Sequence, residues 1–355
     1  MRVSRADIMR LAFSRLMTAV SGLFVLGLFI VMPASAEQGV LSLRYPPDRT
    51  VIEYDILDVS IGVDKGAVDL IKVNVNGRER ASAVPDRDHE CFSLPLDPGM
   101  NEITVSAFRN RKPLDRIIFS AFRRSEIESA YHKAPDGFMK KYFHMGDTAE
   151  CSACHILESR ESDEMPISPA SFTARNFSKE AVISSTSTCY SCHKEITSRQ
   201  YVHGPAAVWS CLSCHEKGSE PRYSVKKPDR EICFKCHVEQ RDDWSSKKVV
   251  HGPVNLGKCT ICHSPHSANN PFNLFKPTWN LCTTCHAEKG SGQHVLGDSF
   301  STGGHPTHGR PDPLRKGKEL SCASCHEPHA SNFLHLWAFD VQNLFELCKK
   351  CHYDK

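Results

Sequence analysis

Cysteine, two residues, cysteine and histidine recur eight times in this chain. The copies are Cys151, Cys154 and His155; Cys189, Cys192 and His193; Cys211, Cys214 and His215; Cys233, Cys236 and His237; Cys259, Cys262 and His263; Cys282, Cys285 and His286; Cys322, Cys325 and His326; and Cys348, Cys351 and His352. This spacing suits covalent capture of a c-type haem. Two thiols can form thioethers with its vinyl groups, and the adjacent imidazole reaches the iron from the same face. The residues therefore predict eight c-type haems. Zinc ribbons would pair two CxxC knuckles into one four-thiolate site and need no histidine after each, yet every second cysteine here has one. Structural disulfides fit poorly, because a CxxC pair is redox-active rather than a staple. The motifs take 16 of the 17 cysteines and leave Cys91, expected as a buried thiol in a strand.

The iron needs a sixth ligand, and its identity sets the potential. After residue 36 methionine occurs only at 100, 139, 145 and 165, so most haems cannot be His/Met. The motifs fall into four pairs, each preceded by a histidine: His144-Met145-Gly146, Val202-His203-Gly204-Pro205, Val250-His251-Gly252-Pro253 and His308-Gly309-Arg310-Pro311. Two pairs continue alike past a motif histidine, as His263-Ser264-Pro265-His266 and His326-Glu327-Pro328-His329. Pairs one and two lack this extension. The repeat ranks His144, His203, His251 and His308 first as sixth ligands, then His266 and His329. Two more must come from His132, His294, His305 and His335, of which His305 and His294 are favoured. His89 reads as a surface residue of the preceding domain. Trp209, Trp244, Trp279 and Trp337 are expected to pack on porphyrin faces or edges.

These doubled motifs, with their CxxCHxPH…CxxCH runs, resemble the doubled-CxxCH family of multihaem c-type cytochromes over about 60% of the chain. The resemblance implies electron transfer in anaerobic or extracellular respiration, with a quinone-linked donor upstream and an acceptor cytochrome or reductase downstream. Six-coordinate haems change oxidation state with little rearrangement and offer no open iron site, so an electron-transfer protein is expected rather than an enzyme. The alternative is an octahaem oxidoreductase. Some octahaem cytochromes that this chain resembles reduce nitrite or tetrathionate, or oxidise hydroxylamine, at one open haem.

The elements that must position these groups follow from pattern. Residues 1–36 read as a signal peptide: Arg2, Arg5, Arg10 and Arg15, an apolar run from Leu16 to Met32, then Ala34-Ser35-Ala36 as cleavage site. Export to the periplasm is expected, with the cell surface as alternative, and no integral membrane segment remains after cleavage. Residues 37–124 alternate apolar and polar side chains at Leu41–Tyr45, Val51–Ile61, Leu70–Val75, Phe92–Leu96, Ile103–Phe108 and Ile117–Phe122. Asn76-Gly77 and Asp97-Pro98-Gly99 are turn signals. This predicts an all-β sandwich. The runs Ile71 to Gly77 and Leu96 to Val105 resemble bacterial Ig-like or fibronectin-like modules. The sandwich would serve as a spacer, or as a docking module for a partner, a second copy or a filament. Residues 125–143 read as a connector helix. Residues 144–355 form the octahaem domain, with a Ser/Thr-rich surface loop from Glu158 to Ser187.

About 25 residues per motif cannot build an apolar core around each cofactor, so the haems must fill the interior of a loop-rich, short-helix wrapping. The net charge of +3 also misleads. Without residues 1–36, the 44 Lys and Arg lose four and the 41 Asp and Glu lose one, balancing at 40 each. Haem propionates then make the whole negative, and nothing points to nucleic acid.

Overall fold

The computed structural model describes residues 39–353, apart from 147, 169–177 and 297–303. Residues 1–36, expected as a signal peptide with its cleavage site, lie outside the described residues. Gly39 to Lys355 form one compact unit. Its first part is a sandwich of eight strands: β1 (Leu41–Tyr45), β2 (Thr50–Ile52), β3 (Ile56–Val63), β4 (Leu70–Val75), β5 (Arg78–Ala83), β6 (His89–Pro95), β7 (Gly99–Arg109) and β8 (Lys112–Arg123). One sheet runs β1-β3-β6. The other runs β5-β4-β7-β8-β2 and ends on the two-residue strand Met139–Lys140. Strict alternation explains the core: Leu57, Val59 and Ile61 on β3 meet Ile71, Val73 and Val75 on β4, with Ile103, Val105 and Phe119 between them.

Four expectations change here. The run Val51–Ile61 is two strands in different sheets, and the crossing Glu53-Tyr54-Asp55 faces away from the core. β5, whose sequence is Arg-Glu-Arg-Ala-Ser-Ala, is a polar edge strand with no apolar alternation to signal it. It closes on β4 through Asn76-Gly77, both at positive φ (51° and 77°), as a two-residue hairpin requires. Cys91 is exposed, because the phase that turns Phe92 and Leu94 inward turns residue 91 outward. The connector holds a single 3-10 turn, Ser129–Tyr131, rather than a longer helix. Met139–Lys140 returns to pair in parallel with β2.

Asn101 fastens the turn at one end of the sandwich. It is fully buried; its Nδ2 donates to the carbonyls of Asp97 (2.8 Å) and Gly99 (3.0 Å), and its Oδ1 accepts from Asp97 N (3.0 Å) and Asn76 Nδ2 (3.1 Å). Asn101→Ala should destabilise the sandwich by about 2–4 kcal/mol, because several buried partners lose their bonds at once. A urea melt followed by the strand circular-dichroism signal measures it.

The second part consists of short helices, 3-10 turns and two-residue strands. Its small sheets join the repeats. Tyr201–Val202 pairs with Ser267–Ala268, and Val249–Val250 with Ala330–Ser331, all antiparallel. Each Val-His-Gly-Pro segment is thus tied to the x-Pro-His segment of the next pair, with His203 N donating to His266 O (2.8 Å) and His251 N to His329 O (2.9 Å). The 158–187 stretch is more than a surface loop. Its helix Lys179–Thr186 buries Val182 and Ile183 against Ile167 and Trp209. Trp209 accordingly packs in a protein cluster, 5.0 Å from the ring of Tyr190.

The sandwich sits on the haem-binding part through its polar crossing. Arg199 meets Asp55 at 2.7 Å with both side chains largely covered, and the Tyr54 ring stands edge-on to His266 at 5.2 Å. Lys276 meets Glu128 at 2.6 Å, and Asp58 lies 3.6 Å from His193 Nδ1.

Candidate haem sites

Each motif is a tight turn. In seven of them the histidine N–H donates to the carbonyl of the first cysteine at 2.8–3.1 Å, from His155 to Cys151 through His352 to Cys348. That turn carries both thiols and the imidazole on one side. Buried carboxylates brace several motifs. Asp229 accepts from Thr260 N and Oγ1, both at 2.7 Å, and so links the approach to Cys233 with the turn beginning at Cys259. Asp312 likewise accepts from Ser324 Oγ (2.6 Å) and Arg315 Nε (2.7 Å), and Asp163 from Thr188 N (2.9 Å).

Asp229 gives the region an acid sensitivity. Burial alone would raise its pKa, but the Lys227 ammonium and the Thr260 bonds outweigh burial and hold it below the usual carboxylate range. A folded-state pKa below the unfolded value gives stability that is present above the unfolded pKa and lost as pH falls through the folded one. Asp229→Asn should therefore lower the melting temperature at pH 7 and flatten its fall between about pH 5 and 3.

Electrostatic effects or hydrogen bonds link the motif thiols in sequence order. Numbering the sites 1 to 8 along the chain, Cys151 of site 1 lies near enough to raise the pKa of Cys192 of site 2, after burial and with Ser191 opposing. Cys189 and Cys211 hydrogen-bond between sites 2 and 3. Cys214 and Cys236 join sites 3 and 4, and Cys233 and Cys259 join sites 4 and 5. Cys262 and Cys285 join sites 5 and 6. Between sites 6 and 7, the hydrogen bond from Cys282 lowers Cys322 to about 7. Cys325 and Cys351 join sites 7 and 8. Among the described residues, no group of three or more His, Cys, Asp or Glu gathers as a metal-ion cage.

Six motif imidazoles each face a histidine from outside the motifs. The ring-centroid distances are 6.3 Å for His144–His193, 6.1 Å for His203–His237, 6.0 Å for His215–His266, 6.2 Å for His251–His286, 6.1 Å for His263–His329 and 6.3 Å for His305–His352. Two bonds of about 2 Å to one metal, plus about 1.1 Å from each nitrogen to its ring centre, require about 6.2 Å. The gap fits an iron between two imidazoles.

Tautomers fit as well. His215 Nδ1 lies 2.6 Å from Tyr223 O, His263 Nδ1 2.8 Å from Phe272 O, and His326 Nδ1 2.7 Å from His335 O. On the opposite side, His203 Nδ1 lies 3.0 Å from Pro265 O and His305 Nδ1 2.8 Å from Pro306 O. A carbonyl only accepts, so each Nδ1 carries the proton and Nε2 keeps its lone pair for the metal. Burial also favours the neutral form at His203, His263 and His326, and pushes His144 and His266 down to about 4.

The remaining histidines divide. His294 stands near enough to His326 to lower its pKa, behind the larger effect of burial, and its own Nδ1 faces Ser291 O at 3.1 Å. His308, ranked first by the repeat, stacks on Trp279 at 4.0 Å instead. Its place before the fourth pair is taken by His305. The ring of His335 lies 6.3 Å from Trp337, and only its carbonyl serves His326. His132 bonds the carbonyl of Glu126 on the connector. Trp244 stacks on His329 at 4.3 Å, so this indole and that of Trp279 pack on histidine rings. The rule behind the six pairs was not read from sequence. The histidine before each pair faces the second motif of its own pair, whereas the x-Pro-His histidine faces the first motif of the preceding pair.

Three segments, 203–242, 251–291 and 312–355, match the family model of the doubled CXXCH motif, together about a third of the chain. The first two begin at His203 and His251, the paired distal residues. The doubled motifs indicate a multihaem c-type cytochrome. No curated protein matches the chain in sequence. Among solved structures, it is similar to fibronectin(III)-like modules of CbhA from Clostridium thermocellum, at 14% identity over 28% of this chain and 99% of that one, with a TM-score of 0.21. It is also similar to a β-glucuronidase of Bacteroides uniformis (15% identity, 24% of this chain, 11% of that chain, TM-score 0.20). A third likeness is to mouse leukocyte-associated immunoglobulin-like receptor 1 (8% identity, 22% of this chain, 89% of that chain, TM-score 0.19). Attachment of c-type haem to such a cytochrome takes place outside the cytoplasm. Among the described residues no helix is long and apolar enough to cross a membrane.

Proposed function

We propose that this multihaem cytochrome carries eight c-type haems in single file and passes electrons along them in sequence order. The observation that carries the reading is the set of six imidazole pairs at 6.0–6.3 Å, each joining a motif histidine to one from outside the motifs. When bound, the haems supply the one-electron chemistry. The chain's own part is to hold two imidazoles on one axis at the six paired sites, to fix the Nδ1 protons of several of them, such as His203, His215, His263 and His305, on backbone carbonyls, and to keep successive motifs close.

In this reading the protein is exported by its 1–36 signal to the periplasm. It takes electrons from a quinone-linked donor and gives them to an acceptor cytochrome or reductase. The sandwich is a cover for sites 2 and 3 as well as a surface for partners. Arg199–Asp55 and Tyr54–His266 support that role.

Electron paramagnetic resonance of the ferric protein tests the ligand set. Near-parallel axial imidazoles, such as His215 and His266 at 7° or His203 and His237 at 16°, should give rhombic low-spin signals. The His305–His352 pair, at 83°, should give one strongly axial low-spin signal. High-spin signals from several haems would refute the reading.

A further inference from the structure

We infer that the haem of site 1 has no histidine on its distal side and is where a small exogenous ligand of diatomic size reaches iron. The inference rests on the two-imidazole reading of the other sites and deepens it. All 19 histidines of the chain are among the described residues. Six motif imidazoles have a facing ring; of the other two, His326 has His294 close enough to act on it electrostatically, and among the described residues no facing ring or such neighbour accompanies His155.

The reason lies in the loop after site 3. The loops after sites 3, 5 and 7 are equivalents. Each leaves its motif histidine, turns through a residue at positive φ (Tyr223 at 61°, Phe272 at 59°, His335 at 62°) and returns that residue's carbonyl to the histidine Nδ1. The loops after sites 5 and 7 also send a histidine back to the first site of the preceding pair: His266 faces His215, and His329 faces His263. By the same relation, the loop after site 3 should serve site 1. It reads Glu216-Lys217-Gly218-Ser219-Glu220-Pro221-Arg222, one residue shorter and with no histidine.

This loop still docks where its equivalents do. The Tyr223 ring lies 4.8 Å from His144, as the next loop's backbone lies against His203. It also grips the segment just past His155. Tyr223 Oη donates to Ser159 Oγ (3.3 Å), Lys217 Nζ donates to Ser159 O (3.1 Å), and Arg222 pairs twice with Glu158 (2.7 and 2.6 Å). So the loop is in place, and what it brings to the segment just past site 1 is Lys217, Arg222 and Tyr223, with no imidazole.

Carbon monoxide titration of the reduced full-length holoprotein, read optically, tests this. One equivalent per chain is expected, with a ferric high-spin signal integrating to a single haem. Cys151→Ala with Cys154→Ala should retain seven haems and bind none. Cys348→Ala with Cys351→Ala removes the opposite end of the file and should still bind one. No binding by the native protein overturns the inference, and binding gained only in Lys217→Ala would name the lysine as native ligand. One equivalent persisting after loss of site 1 also overturns it, by placing the open iron elsewhere. Several equivalents in the native protein would instead sink the two-imidazole reading itself, so the two failures are distinguishable.

Discussion

Removing the haem of site 4, by Cys233→Ala with Cys236→Ala, should cut electron flow along the molecule by several orders of magnitude. Among the described residues, site 4 is linked to its neighbours in sequence, by the electrostatic effect of Cys236 on Cys214 and the hydrogen bond between Cys233 and Cys259, and in the proposed file these are the steps on either side of it. A file has no detour, and tunnelling falls steeply with distance, so a missing member in the middle costs far more than one at an end. The measurement is film voltammetry of the protein tethered to an electrode by its C-terminus. Native protein should respond with every haem. The variant should respond at fast scan rates only with sites 5 to 8. Losing site 8 instead, through Cys348→Ala with Cys351→Ala, should leave the rest of the file electroactive once the tether is shortened. Haem counting by mass separates a broken file from a protein that failed to mature.

His266→Met should raise the potential of one haem by on the order of 0.1–0.2 V, within the roughly 0.8 V that axial ligands span. His266 is largely covered, its ring is 6.0 Å from that of His215, and loss of solvent already favours its neutral form. A thioether there favours the ferrous state and makes site 3 a trap between lower-potential neighbours. A redox titration should show one haem displaced upward, and the end-to-end current should fall. His308→Met is the matched control. That ring stacks on Trp279 rather than facing a motif histidine, so its replacement should leave every potential where it was. If His308→Met moved a potential and His305→Met did not, the assignment of site 8 would be wrong.

The contrast between His305 and His308 shows where reading the sequence stops. In the second and third pairs the leading histidine precedes its first cysteine by eight residues and caps a short helix begun by Gly-Pro, so spacing and position agree. In the fourth pair the approach is longer. Two histidines three residues apart compete, and the Gly-Arg-Pro after His308 imitates the repeat without forming its helix. Only packing decides, and Trp279 claims His308. The x-Pro-His signal marked His266 and His329 as candidate ligands, but not the motif histidines that their rings face. The two-residue strands that tie one pair to the next are too short to leave a periodicity, and they are what carries His266 back to site 3.

The sandwich divides the same way. β3, β4 and β7 announce themselves because one face is buried and alternation follows. β5 does not, since an edge strand can be polar throughout. The crossing Glu53-Tyr54-Asp55 reads as part of a strand until its contacts with Arg199 and His266 show that it faces the other part of the chain.

The account stands on an imidazole on each side of iron at nearly every site of an eight-member file. Near-infrared magnetic circular dichroism of the ferric protein, scaled to its haem content, tests that most directly. The predicted spectrum has the intensity of seven low-spin bis-imidazole haems and one high-spin haem, with no methionine–iron band. Intensity for several high-spin or methionine-ligated haems, or a haem content well short of eight, would contradict it.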